Sequence, residues 1–436
     1  MSAASVVIVG AGAAGTAAAT QMRKLGFGGD LTLVHGEGPV PYNRTTVNKT
    51  LLQADARLDS VRTALPNDPH TSLLNGRAER LDTERRTVVL EDGNQLSYDA
   101  VLIATGARPR LLPGREQSLH TTELSNRITP LRTYDDAERI RRVLATIGSK
   151  HGRPARVGIA GASLLGSETA DALKGLGHDV FLIGAAANPM TRHLGTTIAT
   201  WVQTRHEEHL AGVFEARVDS LEVSGDGVTL ALSNGTKLTV DLVIEALGVD
   251  PEVGWLRHSP LTLDDGVLVD DRLRTNVEGV YAAGDLARVD GSPRIEHWGH
   301  ALAHGAHAAR TISHDLQLTE DPGPFEPSGS YSTWLYGKSI NVLGSSSLHR
   351  DWEVALTPPG HEAHVTVYTS AEGRLSAAVT LGSAKVVNRL RPLVAAGAAI
   401  EQAADVVTAT LKPPTSLDPE DPHPISAGEL PHDISS

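Results

Sequence analysis

The sequence predicts an α/β protein: two Rossmann-like dinucleotide-binding units followed by a C-terminal α+β unit. Three observations carry that prediction. Residues 6–9 form an apolar strand that runs into an intact G-x-G-x-x-G turn and an Ala-rich helix, and a second strand, turn and helix of the same design begins at Arg156. Beyond residues 321–327, which hold three prolines, the chain from about 328 to 412 alternates as strands do before a helix near 385–397.

A strand over 6–9, a helix over about 13–25 and a strand over 31–34 make the opening βαβ unit, with the glycines of 26–29 separating helix from strand. Residues 87–90 and 95–98 flank Asp92-Gly93 as a hairpin, and the continuous apolar run 100–104 reads as a parallel strand buried on both faces. The second βαβ unit has its strand at 156–160, its helix at 164–176, a stop at Gly177 and a strand at 179–183. A hairpin over 228–232 and 237–240 turns at Asn234-Gly235, a buried strand follows at 242–247, and 279–283 leads as a strand into Gly284-Asp285. The last stretch, 413–436, is rich in Pro, Asp, Glu and His and is expected to be a disordered tail.

In the first turn, Gly10-Ala11-Gly12-Ala13-Ala14-Gly15, Gly10 permits the bend, Gly12 lets a pyrophosphate approach the backbone and Gly15 lets helix pack on strand. The helix N-terminus attracts the phosphates. Glu37, just past the second strand, is placed to accept hydrogen bonds from an adenosine ribose. The second turn, Gly161-Ala162-Ser163-Leu164-Leu165-Gly166, has serine at the middle glycine's place, and its second strand ends at Gly184. Two such turns can hold two dinucleotides face to face.

Composition narrows the chemistry. The 436 residues contain no cysteine, which excludes disulfides, thiolate metal sites and any redox-active thiol pair. A formal net charge of -13 argues against nucleic acid or an anionic membrane as partner. The cluster Arg139, Arg141 and Arg142 reads as a solvated helix face. No apolar run is long enough to span a membrane and the chain opens on a strand, so a cytoplasmic protein is expected.

Further segments add specificity: Pro41-Tyr42-Asn43-Arg44 with Lys49-Thr50-Leu51, Ala104-Thr105-Gly106-Ala107-Arg108-Pro109, Leu131-Arg132-Thr133 with Asp135-Asp136-Ala137, Gly279 through Asp285, Arg294-Ile295-Glu296-His297-Trp298, and Asn388-Arg389 with Leu393 through Gly397. From Val6 to about Gly397 the chain resembles the oxygenase-coupled NAD(P)H-dependent ferredoxin reductases, the group of putidaredoxin and rubredoxin reductases. The resemblance implies two FAD/NAD(P)-binding domains of the glutathione-reductase type plus a C-terminal α+β domain. The FAD domain would comprise 1–118 and 250–325, the NAD(P)H domain 119–249 and the C-terminal domain 326–412. It also implies FAD as cofactor, NADH or NADPH as co-substrate and a ferredoxin-like iron-sulfur acceptor, in a monomer or homodimer.

Site roles follow from the same resemblance. FAD would be bound at Gly10, Gly12, Ala14, Gly15 and Glu37, at Ala104, Thr105, Gly106 and Arg132, and at Gly284, Asp285, Glu296, His297 and Trp298. Arg44 would pair with its pyrophosphate, Asp285 with its ribityl chain, and Lys49 would sit near flavin N5 in a pair with Glu168. An ammonium there stabilises anionic reduced flavin, and the carboxylate orients lysine and nicotinamide. Gly161, Ser163 and Gly166 would hold the nicotinamide dinucleotide.

The chain departs from that family in three places. Ser163 and the missing acid at Gly184 weaken the second turn; a lost hydrogen bond to a charged acceptor is worth about 1.5–3 kcal/mol, roughly ten- to hundredfold in affinity. Without the acid NADPH can compete, with Arg192 as a contact, or the site binds no nicotinamide. Thr45-Thr46-Val47-Asn48 and Tyr331-Ser332-Thr333-Trp334-Leu335 replace the family's segments on the flavin side. Finally, His297, His300, His304 and His307 fall on one helical stripe. His297 or His300 could move protons near the flavin, histidines at i and i+4 could share a metal ion, or the stripe is ordinary helix surface and packing. These departures define a second reading, an FAD-dependent oxidase or dehydrogenase acting on a small organic substrate in a biosynthetic pathway. A flavoprotein used for sensing is a third.

Overall fold

The computed structural model describes residues 4–38, 40–113, 115, 126–188, 190–224, 227–326, 330–344, 353–357, 361–370 and 372–411. The expected tail, 413–436, lies outside the described residues. Two parallel five-stranded sheets and one antiparallel five-stranded sheet organise the rest. The first orders its strands Val280–Ala282, Ala100–Ile103, Ser5–Val9, Asp30–His35 and Thr71–Asn75. Val6, Ile8, Leu31, Leu33 and Leu102 are fully buried in it, as a parallel sheet covered on both faces requires. The second orders Gly212–Glu215, Asp179–Gly184, Arg156–Ala160, Leu242–Glu245 and Ile128–Pro130. Between the two sheets the chain crosses out along Ala107–Pro109 and back along Val249–Pro251, and these crossings pair as antiparallel strands.

The long helices among the described residues are α1 (Ala13–Lys24), α2 (Tyr134–His151), α3 (Leu164–Gly175), α4 (Thr191–His209), α5 (Trp298–Asp315), α6 (Ala384–Ala395) and α7 (Ile400–Thr410). Among the described residues no helix is long and apolar enough to cross a membrane. α1 follows the first turn, α3 follows the second, and α5 lies against α1. That crossing is close: a Cβ on Gly305 would lie 2.0 Å from the Ala14 carbonyl oxygen.

The antiparallel sheet orders Tyr331–Leu335, Lys338–Gly344, Leu375–Leu381, His364–Thr369 and Glu353–Ala355. One face packs Leu335, Ile340, Tyr368 and Val379 on Leu194, Ile198 and Val202 of α4. The other packs Leu343 and Val365 on Val386 and Leu390 of α6 and Val407 of α7. α4 bends at Gly195 (φ 73°), where Glu353 of the sheet accepts from Thr196 N at 3.0 Å.

The strands expected from sequence lie within a few residues of those observed. The strand expected over 242–247 ends at Glu245, because the chain turns away at Gly248 (φ 86°). The hairpin of Gly227–Leu232 with Lys237–Val240 gains Val218–Ser224 as a third strand. Sequence reading did not delimit α2, α4 or α7. α2 carried a readable signal: Thr133 and Asp136 form a capping box, and Ile140, Leu144 and Ile147 recur on its buried face. In α4 the bend at Gly195 interrupts the 3.6-residue period.

Gly305→Ala should destabilise the fold by about 1–3 kcal/mol, because the added methyl meets backbone rather than a side chain that can rotate away. A thermal melt checks this; an unchanged midpoint would mean the α1–α5 crossing relaxes freely.

Candidate functional site

The two turns share the same backbone contacts at their outer glycines. Gly10 N donates to Val34 O at 2.9 Å, and Gly161 N donates to Ile183 O at 2.8 Å. Gly10 and Gly161 have φ of 114° and 113°, and a Cβ on either would lie 2.2 Å from a carbonyl oxygen, Ala104 or Ala246 respectively. Only glycine fits there. A Cβ on Gly15 would lie 1.8 Å from Gly10 O and one on Gly166 1.9 Å from Gly161 O, which brings each helix onto its turn.

Gly12 is different, and so is its counterpart Ser163. Gly12 has φ -77° and ψ -162°, and Ser163 has φ -71° and ψ 179°, a conformation open to any residue. The serine therefore leaves the backbone of the second turn undisturbed, and its side chain stands where the first turn is open. Its hydroxyl donates to Ala246 O at 3.3 Å. Counting from the paired carbonyls of Val34 and Ile183, the counterpart of Glu37 is Ala186. No acid stands in Ala185-Ala186-Ala187, and a Cβ on Gly184 would lie 2.7 Å from Ala162 Cβ. Arg192 is exposed in the first turn of α4.

One cleft of about 1570 Å³ joins both turns. Of the residues expected at the site, Gly10, Gly12, Ala14, Glu37, Arg44, Lys49, Ala104, Thr105, Gly106, Arg132, Ser163, Glu168, Gly284, Asp285, Glu296, His297 and Trp298 line it. Gly15, Gly161, Gly166 and His300 do not; the glycines act by close packing.

A chain of charge runs along the cleft floor. Arg44 donates to Glu37 Oε2 at 2.7 Å and to Arg132 O at 2.9 Å, and Arg132 donates to Asp285 Oδ2 at 2.9 Å. Tyr42, which sequence reading did not assign, donates to Glu37 Oε2 at 3.1 Å and accepts from Tyr134 N at 2.9 Å. Burial alone would raise the Glu37 carboxyl, but the Arg44 guanidinium beside it outweighs that and holds it below the usual carboxylate range. At Glu296 burial outweighs the partner Arg294, so this carboxyl is raised.

These residues fit FAD. α1 begins at Gly12 with no side chain capping its free N–H groups and no acid in its first turn, space is open above Gly12, and Arg132 Nε is buried without an acceptor. Uncapped N–H groups and an unpaired guanidinium nitrogen are donors suited to a pyrophosphate and a polyol chain.

Where the two turns face each other, Lys49 Nζ donates to Glu168 Oε1 at 2.7 Å. Lys49 comes from the segment after the second strand and Glu168 from the first turns of α3. Asn48 and Thr333, neither assigned from sequence, also donate to Glu168.

A family model for pyridine nucleotide-disulphide oxidoreductases matches residues 4–305. The chain belongs to that family. It is 32% identical over 323 residues to the ferredoxin–NAD(+) reductase component of the p-cumate 2,3-dioxygenase system of Pseudomonas putida, covering 73% of this chain and 77% of that one. It is 29% identical over 396 residues to rubredoxin–NAD(+) reductase of Pseudomonas putida, covering 87% and 96%. The crystal structure of the ferredoxin reductase for the CYP199A2 system from Rhodopseudomonas palustris matches with a TM-score of 0.81 at 25% identity, covering 92% of this chain and 97% of that one. Unlike the disulphide chemistry in the family's name, this pyridine nucleotide-disulphide oxidoreductase has no cysteine.

The histidine stripe divides between the cleft and the packed interior. His297 precedes α5 and stacks on Tyr331, with ring centroids 4.2 Å apart, at the cleft. His300, His304 and His307 are buried around Phe325, at 5.5, 4.7 and 5.3 Å between centroids. His304 Nδ1 accepts from Gly284 N at 3.1 Å, which fixes the turn before Asp285. His300, considered for proton transfer, does not line the cleft; its ring packs on His304 and Phe325, and burial, with His297 nearby, lowers it to about 4. Among the described residues no group of three or more His, Cys, Asp or Glu could hold a metal ion.

The buried imidazoles make stability depend on pH. Burial lowers His300 and His206 from 6.5 to about 4, so in the folded protein both stay neutral where the unfolded chain is already protonated. Their contribution is intact above pH 6.5 and is lost on acidification between 6.5 and about 4, by up to about 1.4 kcal/mol per pH unit for each ring. Melts from pH 7 to pH 4.5 should show His300→Gln with a shallower slope than the natural sequence; equal slopes would show that the ring is not buried neutral.

Proposed function

We propose that this chain is an FAD-dependent NAD(P)H reductase that passes electrons to a ferredoxin-type iron-sulfur protein of an oxygenase system. One observation carries the reading: Lys49 and Glu168, from segments following different dinucleotide turns, meet at 2.7 Å inside the cleft the two turns share. The named functions of the relatives support it, and so does the absence of cysteine, which leaves no thiol acceptor within the chain. In this reading residues 1–118 with 250–325 hold FAD, 119–249 hold the nicotinamide dinucleotide and 326–412 cover the cleft.

FAD, when bound, supplies the exchange between a two-electron donor and one-electron acceptors. The residues do the rest. The N–H groups at the start of α1 and the open backbone of Gly12 bind the pyrophosphate, Glu37 accepts from the adenosine ribose, and Arg44 and Arg132 balance the phosphate charge. Asp285, held by Arg132, orients the ribityl chain. The Lys49 ammonium keeps positive charge at the reaction centre, where negative charge develops, and Glu168 fixes its direction. α3 offers its N-terminus to the second dinucleotide, and no acid stands at the Glu37 counterpart to repel a 2′-phosphate, so NADH and NADPH both fit. The reading as an oxidase or dehydrogenase for an organic substrate rested partly on a damaged second turn, and Ser163 leaves that turn's backbone unchanged.

The test is anaerobic. Yellow protein mixed with NADH or NADPH should bleach, and added ferredoxin should then support cytochrome c reduction. Lys49→Met should slow bleaching roughly ten- to hundredfold. Bleaching by an organic metabolite alone, or an unimpaired Lys49→Met, would overturn the assignment.

A further inference from the structure

Glu168 is held by more than its lysine. Oε1 accepts from Lys49 Nζ at 2.7 Å and from the Thr333 hydroxyl, and Oε2 accepts from Asn48 Nδ2 at 2.7 Å. The donors reach α3 from two sides: Asn48 and Lys49 from the segment after the second strand, Thr333 from the edge strand of the antiparallel sheet. Asn48 is 2% exposed and Thr333 4%, so little water competes for these bonds.

The placement of Thr333 is itself fixed. Along Tyr331–Leu335 side chains alternate, so Thr333 and Leu335 are buried while Trp334 is 58% exposed. Past the strand, Tyr336 N donates to Asp171 Oδ2 at 2.9 Å, three residues beyond Glu168 on the same side of α3. The Tyr336 hydroxyl lies 2.5 Å from His206 Nδ1, and His206 Nε2 lies 3.0 Å from Ser167 Oγ. The edge strand and its turn are thereby pinned along α3, with the Thr333 hydroxyl delivered to Glu168.

We infer that Asn48 and Thr333 are positioning residues for electron transfer from the nicotinamide: together they hold the Glu168 carboxylate in one orientation, and through it aim the Lys49 ammonium into the cleft. The inference rests on the reading of Lys49 and Glu168 given above. A carboxylate bound by three donors has little freedom to rotate, whereas one bound by lysine alone can swing with it. An ammonium has three donors; one is used on Glu168, leaving two for the cleft that Lys49 lines. The antiparallel sheet thus supplies part of the reaction centre as well as its cover.

Thr333→Val keeps the side-chain volume and removes the donor, Thr333→Ser keeps the donor, and Asn48→Ala removes the other. With FAD-loaded protein, the rate of bleaching at saturating NADH should fall about tenfold in Thr333→Val and in Asn48→Ala, with KM little changed. The midpoint potential of the bound flavin should move to more negative values in both and return in Thr333→Ser. In a Glu168→Gln background the further change Thr333→Val should lose most of its effect. Rates within twofold and an unmoved potential in both variants would overturn the inference, as would an equal effect of Thr333→Val with and without Glu168. Should Thr333→Val fail to fold, as a melt would show, Asn48→Ala decides by the same two outcomes. Natural-sequence protein that takes up no FAD would overturn the functional reading and this inference together; natural-sequence protein that is reduced normally beside unaffected variants would overturn the inference alone.

Discussion

Two backbone carbonyls, those of Ala104 and Ala246, govern the shape of the site. Each lies directly after the strand beside a βα turn, and each occupies the space where a side chain at Gly10 or Gly161 would begin. The chain must therefore bend sharply at those positions, and the bend delivers the N-terminus of α1 or α3 to the mouth of its sheet. The uncapped N–H groups that the cleft offers to dinucleotides follow from that steric demand. Ser163 shows its limit: the middle position of the turn is not crowded, so a side chain is tolerated there.

Charge is arranged to suit this geometry. A chain with a net charge of -13 nevertheless places Arg44, Arg132 and Arg294 along the cleft, each held by a carboxylate or a backbone carbonyl. Paired guanidinium groups avoid much of the cost of isolated buried charge and remain in fixed directions. Their partners Glu37 and Asp285 themselves line the cleft, so the same bonds that stabilise the cleft also orient its acceptors.

Local patterns were legible in the sequence and distant ones were not. The turns and the strands around them announce themselves through glycine spacing and apolar runs. Lys49 and Glu168 are 119 residues apart, and only likeness to known reductases brought them together beforehand. The histidine stripe was readable as a helical stripe, yet its setting depends on Phe325, which comes from a proline-rich segment that looked like a mere boundary. Thr333 was noticed as unusual without a role, since its partner lies 165 residues away in sequence. α4 escaped because its bend at Gly195 serves contacts with a sheet that arrives much later in the chain.

That sheet has no private hydrophobic interior on its inner face. Leu335, Ile340 and Val379 share theirs with Leu194, Ile198 and Val202 of α4. A shortened polypeptide stopping ahead of Tyr331 would present those aliphatic side chains to water, and an isolated tail fragment would present the complementary ones. Domain exchanges joined at the proline-rich crossing would therefore divide one interior, however modular that crossing looks on paper.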